Sequence, residues 1–265
     1  MPHVVAITRP PRAVLPGSYR EAGSLVPAPM DAWLGPIAAA LGLAPYDLRL
    51  RVAGPVPWIV ARVASAAEAD LLLARVRDAG AGAVSLDLAA PLLRAGGFVA
   101  RAFAREEALR LEPEGRDIAW PELTLVVRAT LEEELGRETT RFSPNTFEGV
   151  TTHARERARR HALYVCERSG PLARLVEGQL GFFGETPEPE ATTARARFEA
   201  FVERVKQHAR GARFHDAFVA EPRKRTSLRA LTQSDTHRST LVGNVEETDL
   251  AVALLSRALA EGQAS

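Results

Sequence analysis

The sequence predicts an α+β protein: a small α/β unit, made of a short sheet with three helices, followed by a β-rich unit closed by C-terminal amphipathic helices. Three observations lead there. Apolar residues recur three and four apart between Leu34 and Val76. Runs of period two replace them from Phe98 onward, and helical stripes return at Phe198 to Val205 and at Leu250 to Ala258. The 265-residue length fits one large domain or two small ones, at about 100 to 200 residues per domain. The changes of texture divide the chain into an α/β unit at 1–90, a β-rich domain with its capping helix at 98–220, and a polar segment with a final helix at 221–265. The first boundary falls near Ala89 to Gly97, where Pro91, Gly96 and Gly97 interrupt the pattern.

In the first unit, residues 4–8 read as a strand and Pro10 to Pro29 as a Pro- and Gly-rich loop. Asp31 stands where a helix cap would, ahead of Leu34, Ile37 and Leu41, and Gly42 ends that helix. Pro45 suits the first turn of a second helix carrying Leu48 and Val52, stopped by Gly54 and Pro55. Trp58 to Val63 is extended and β-branched. Ser65 and Glu68 form a capping box for a third helix, whose stripe is Ala69, Leu72, Leu73 and Val76 and whose end is Gly80. Val84, Leu86 and Leu88 alternate as in a half-buried strand.

The β-rich unit begins with Val99, Arg101 and Phe103, then Leu109 and Leu111, with Pro113, Glu114 and Gly115 turning toward Leu123, Leu125 and Val127. Residues 132–160 are polar without a sustained apolar stripe, and are expected to be a surface insertion, partly helical. Strands resume at Leu163 to Glu167, turn at Ser169 to Pro171 and return through Leu172 to Val176, with Leu180, Phe182 and Phe183 beyond. Thr192 to His208 reads as an amphipathic helix carrying Phe198, Phe201, Val202 and Val205. After a polar stretch at 221–242, Asn244 and Glu247 make a second capping box for a helix ending near Gly262.

Composition narrows the function. Thirty-four Lys plus Arg stand against thirty-three Asp plus Glu, so no excess positive field exists to hold a polyanion. Nearly all the cations are arginine, Lys206 and Lys224 being the only lysines. The single cysteine, Cys166, cannot form an intramolecular disulfide and suits buried packing. Val4 to Ile7 is too short for a signal-peptide core and no apolar stretch reaches the roughly 20 residues of a membrane span, so a soluble cytoplasmic protein is expected.

The pieces Leu41, Gly42, Leu43, then Ser65, Glu68, Ala69, Leu72, Val76, and finally Ala79, Gly80, Ala81 before Val84 carry a resemblance. Over residues 1–88 the chain resembles the C-terminal domain of ribosomal protein L7/L12. That resemblance implies a small sheet packed against three helices. The family recruits translation factors with a lysine-bearing helical face, whereas Ala44, Pro45, Tyr46 and Asp47 stand after the Leu-Gly-Leu turn here. An aspartate and neutral residues weaken attraction to an acidic partner, so the shape carries over and the partner does not. The element order of residues 98–210 resembles a pleckstrin-homology-like domain, which implies a strand-rich fold finished by a helix and names no ligand.

No P-loop, no G-x-G-x-x-G after a strand, no H-E-x-x-H and no G-x-S-x-G occurs. The expectation is a non-enzymatic protein-interaction or regulatory protein with a protein partner, no catalytic set, no cofactor and no metal. Two alternatives compete with it. An enzyme would need two or more of His153, His161, His208, His215 and Asp216 in one pocket. An anion-binding module would use Arg155, Arg157, Arg159 and Arg160, with Arg155 and Arg159 sharing one face if residues 153–161 are helical. Nucleic acid is disfavoured, because aromatic residues do not interleave with the basic ones.

Overall fold

A computed structural model describes residues 2–14, 25–27, 30–52, 56–92, 99, 101–142, 149–168, 172–178, 193–218 and 245–263. Strand β1 (His3–Arg9) is flanked by β4 (Trp58–Val63) and β5 (Gly82–Asp87) in an antiparallel sheet ordered β4-β1-β5. Its alternation decides the packing. Val5 and Ile7 meet Trp33 and Ile37 of α1 (Met30–Leu41), Leu48 of α2 (Pro45–Arg51), and Ala69, Leu73 and Val76 of α3 (Ala66–Asp78). Val4 and Ala6 point to the other face.

Helix starts and stops follow local chemistry. Pro45 opens α2, where its missing N–H costs nothing. The Ser65 hydroxyl accepts from the Glu68 N–H at 3.3 Å, while the Glu68 carboxylate accepts from the Ala64 N–H at 3.4 Å. Gly42 and Gly80 take φ of 68° and 86°, left-handed values that end α1 and α3. A register shift on β4 leaves Val60 without a β1 partner, and the Arg51 guanidinium donates to its carbonyl. Arg77 likewise donates to the Ala83 carbonyl of β5 at 2.7 and 3.0 Å.

Two expectations here need correction. α1 begins at Met30, so Asp31 lies within its first turn and not ahead of it. The stretch read as a loop contains β2 (Arg12–Val14) paired with β3 (Leu25–Pro27); strands of three residues show too little alternation to be recognised.

In the second unit, β6 (Arg101–Ala104), β7 (Ala108–Glu112) and β8 (Arg116–Ala119) form an antiparallel meander. Behind it runs a sheet ordered β11-β10-β9-β12, made from β9 (Leu123–Phe142), β10 (Gly149–Glu167), β11 (Ala173–Val176) and β12 (Arg213–Phe218). β12 follows α4 (Ala194–His208) and pairs parallel with β9; the sequence did not mark it as a strand. One face of this sheet, with Val126, Leu163, Val165 and Leu175, packs on the meander and on Phe198, Phe201, Val202 and Val205 of α4. The other face carries Leu125, Val127, Leu131, Tyr164 and Cys166.

The expected surface insertion at 132–160 is instead the outer part of the β9–β10 hairpin, and no helix forms at 153–161. In the backbone register Glu132 stands opposite Arg159, Glu134 opposite Arg157 and Glu138 opposite His153.

The last helix, α5 (Val245–Ala260), joins the two units. Leu250, Leu254 and Ala258 lie against Val4, Ala6 and Val84 of the first sheet. Ala251, Val252 and Leu255 lie against Val127, Leu131 and Tyr164 of the second. A helix apolar on two sides is a buried one, and each large side chain it buries contributes about 1.5–3 kcal/mol. Ser169 to Pro171, Leu180, Phe182, Phe183, Asn244 and the polar segment 221–242 lie outside the described residues.

The cap and stripe of α3 can be ranked. Leu73 is buried and Leu72 only partly so. Ser65→Ala is expected to cost about 1 kcal/mol and Leu73→Ala about 2–5 kcal/mol, with Leu72→Ala between them. Urea melts check this, and equal effects would mean that α3 does not seat Leu73 in the core. Residues 1–90 expressed alone leave Val4, Ala6 and Val84 uncovered. That fragment is expected to bind a hydrophobic dye and to melt at lower urea than the full chain; an equal midpoint without dye binding would count against the role given to α5.

Candidate functional site

The β9–β10 hairpin redistributes the arginine run. Successive strand residues alternate between faces, so positions 155, 157 and 159 share one face and Arg160 takes the other. The helical grouping of Arg155 with Arg159 apart from Arg157 is thereby corrected. Arg159 is exposed and Arg160 half-buried, and for Arg155 and Arg157 the description stops at the backbone. Glu132 and Glu134 stand across from two of these positions, so the register sets acids against the cations.

The histidines are also dispersed. Nδ1 of His161 stands 3.3 Å from the Thr130 hydroxyl on the face toward α4, with the ring tilted against Phe198. His208 stacks on Trp120 at 5.1 Å, and the Trp120 N–H donates to the Arg105 and Glu106 carbonyls. His215 pairs in register with Val127, whose side chain packs toward α5, so the sheet separates it from His161. Burial and then Arg213 hold the His215 pKa below its usual value, opposed by Asp216. His153 stands opposite Glu138, eight residues along β10 from His161. Among the described residues, no group of three or more His, Cys, Asp or Glu could hold a metal ion.

What the fold does bring together are two charged networks, one on each face of the second sheet. On the α5 side, Asp249 accepts from the Tyr164 hydroxyl at 2.6 Å and from the Arg174 guanidinium at 2.5 Å. Tyr164 and Asp249 are buried. Burial, then the charge and hydrogen bond of Asp249, push the tyrosine pKa far above its usual range. Burial opposes the charge of Arg174, yet Asp249 outweighs it and raises the pKa. Beside them, burial pushes the Cys166 thiol up to about 12 while Ser256 pulls the other way. A thiol held that high is protonated at neutral pH and is no nucleophile.

On the α4 side, Arg128 of β9 and Arg195 of α4 donate to the same Glu199 oxygen, at 2.5 and 2.6 Å. Arg195 also stands 3.7 Å from Glu177, which accepts from the His161 backbone N–H at 3.2 Å. Burial and then Glu199 raise the Glu177 pKa, with Arg160 opposing. Burial lowers that of Arg195; Glu199 opposes this and Arg128 adds to it. Sequence reasoning names none of Arg128, Asp249, Glu177, Arg195 or Glu199 as site residues; Arg174 it places only near the arginine run of a possible anion-binding stripe. A signal existed for Asp249: it is an acid directly before the apolar run Leu250 to Leu255.

No protein-family model, curated protein or solved structure matches this chain. No helix among the described residues is long and apolar enough to cross a membrane.

The α5-side network predicts an order of effects. Asp249→Ala strands the Arg174 charge and the Tyr164 hydroxyl, and is expected to destabilise by about 3–5 kcal/mol. Tyr164→Phe removes one bond to a charged acceptor and is expected to cost about 1.5–3 kcal/mol. Urea denaturation of both variants tests this; two negligible effects would show that α5 is held by apolar packing alone.

Proposed function

We propose that this is a non-enzymatic protein-interaction protein that docks a partner protein on the outer side of its N-terminal helices. One observation carries the reading: Tyr46 and Leu50, one turn apart on α2, are 70% and 63% exposed. Residues four apart share a helix face, and tyrosine is among the residues enriched where interface energies concentrate, with Leu50 adding apolar area beside it. The patch sits on a fixed element. Leu48 and Val52 are buried beneath it, and Arg51 ties the helix to β4. Little further ordering is needed on binding, which lowers its entropic cost.

The polar networks support the same reading. Asp249 is spent on Tyr164 and Arg174, and Glu199 on two arginines. Groups so paired hold elements together and do not offer a base or nucleophile to a substrate. The order β1-α1-α2-β4-α3-β5, apart from the short β2–β3 pairing, supports the likeness to the ribosomal domain in shape. Just after Leu-Gly-Leu, where that family carries lysines, this chain has Ala44, Pro45, Tyr46 and Asp47, and the exposed Tyr46 with Leu50 one turn on fits an apolar partner surface in place of an acidic one.

The experiment is affinity purification of the tagged protein from its native cells, beside a Tyr46→Ala, Leu50→Ala variant, followed by titration of the recovered partner with both. Exposed substitutions leave stability within about 0.5 kcal/mol, so both proteins should melt alike. A partner bound at least about tenfold more weakly by the variant is the expected result. No stoichiometric partner, or one held equally by both proteins, would overturn the proposal.

A further inference from the structure

The β9–β10 hairpin runs on past its sheet. β12 pairs with β9 only as far as Ala129, and β11 pairs with β10 from Ala162 to Val165. Beyond those points, among the described residues, the two strands pair only with each other, out to Phe142 and Gly149. From Leu131 to Phe142 this ribbon covers roughly 40 Å, at about 3.4 Å per residue. The outer edge of such a ribbon is a template for another strand. Its ladder also matches charge unevenly. Glu132, Glu134 and Glu138 stand opposite Arg159, Arg157 and His153, whereas Glu133, Arg137 and Arg141 stand opposite Ala158, Ala154 and Val150. The second set occupies alternate positions of one strand and so belongs to one face of the ribbon. Its acid lies toward the sheet and its cations toward the tip, an order that an antiparallel copy of the same strand inverts.

We propose that the β9 edge pairs with the β9 edge of a second copy of this chain, antiparallel about a twofold axis at Arg137. In that register Glu133 of each copy stands opposite Arg141 of the other, Glu134 opposite Thr140 and Leu135 opposite Thr139. No acid meets an acid, and Arg137 at the axis is the one like-charge position. Sliding one strand by two residues is worse in either direction. One slide sets Glu134 against Glu138 twice, and the other sets Glu138 against itself and loses both Glu133 to Arg141 matches. The paired stretch, 132–142, begins beyond Ala129, so β12 does not block it. Charge on an edge ordinarily discourages pairing, and here it selects the edge. On β10, Arg155, Arg157, Arg159 and Arg160 crowd one half, and residues 149–154 include no acid to face them. A contact of this symmetry closes at two copies. It is independent of docking at Tyr46 and Leu50.

The test is sedimentation velocity of the full chain at rising concentration, in low and in high salt. A reversible dimer is expected, weaker in high salt because facing charges are screened. Glu133→Arg and Arg141→Glu should each weaken it several-fold, and the two substitutions together should restore it. Both positions stand opposite uncharged residues of β10, so all three variants should melt like the unaltered chain. The Tyr46→Ala, Leu50→Ala variant should dimerise as before. Amide hydrogen exchange over 132–142 should slow as the dimer fills, a readout that needs no substitution. A chain that stays monomeric at every concentration, a mass that grows past two copies, or exchange over 132–142 that ignores concentration would overturn the pairing. A double variant no better than the single ones would overturn the register, and loss of the dimer in the Tyr46→Ala, Leu50→Ala variant would move the contact to α2.

Discussion

Everything in this fold depends on α5 lying between two sheets. The β4-β1-β5 sheet is apolar on both faces, since β1 buries Val5 and Ile7 on one side and Val4 and Ala6 on the other. Three helices cover only the first side. The larger sheet is in the same position, with the meander and α4 on one face and Leu125, Val127, Leu131 and Tyr164 left on the other. One helix resolves both deficits, at the cost of giving up a solvent face along much of its length. The arrangement joins the start of the chain to its end: the Thr8 hydroxyl donates to the Gln263 carbonyl at 2.8 Å, and Arg77 bonds Glu261 at 2.8 Å.

A helix so enclosed could slide or rotate if apolar contact alone held it, because such contact is non-directional. Asp249 supplies the direction. Its two oxygens accept from two different strands, Tyr164 of β10 and Arg174 of β11, which admits one register of helix on sheet. Burying an acid is costly unless it is paired and hydrogen-bonded. Here both conditions hold, so the network contributes specificity more than net stability. The same division appears on the opposite face, where Arg128, Glu199 and Arg195 fix α4 beside a core of phenylalanines and valines.

Much of the fold was legible because its signals are local. The Ser65 cap, Pro45 at a helix start, Gly42 and Gly80 at helix ends and the stripe from Phe198 to Val205 each depend on residues within one or two turns. The long hairpin was not legible, because its strands are specified by what lies across them. Glu134 and Arg157 are far apart in sequence and adjacent only in the ladder, and a polar strand carries no apolar alternation to read. β12 escaped notice for a related reason: a six-residue parallel strand needs a neighbour supplied from elsewhere, here β9. The candidate site suffered most. Spacing along a supposed helix grouped Arg155 with Arg159, whereas strand parity sets Arg160 apart from the others, and the networks that do form join residues up to 85 positions apart.

The N-terminal unit shows why shape and function separate in such a reading. Leu48, Val52, Ala69, Leu73 and Val76 are buried and meet the sheet, so their identities are constrained by packing. Two of them, Ala69 and Val76, are among the residues on which the proposed resemblance to a ribosomal domain rests. Tyr46, Leu50 and Leu71 point outward and answer to no packing constraint inside the chain. A surface of that kind is where one scaffold acquires different partners. Residues that determine the fold therefore report architecture and say little about binding, and the proposed docking rests instead on exposed apolar side chains that the fold does not need. On this chain Tyr46 and Leu50 lie on a helix anchored from below by Leu48 and Arg51, and a surface already ordered loses less entropy on any association than a flexible one.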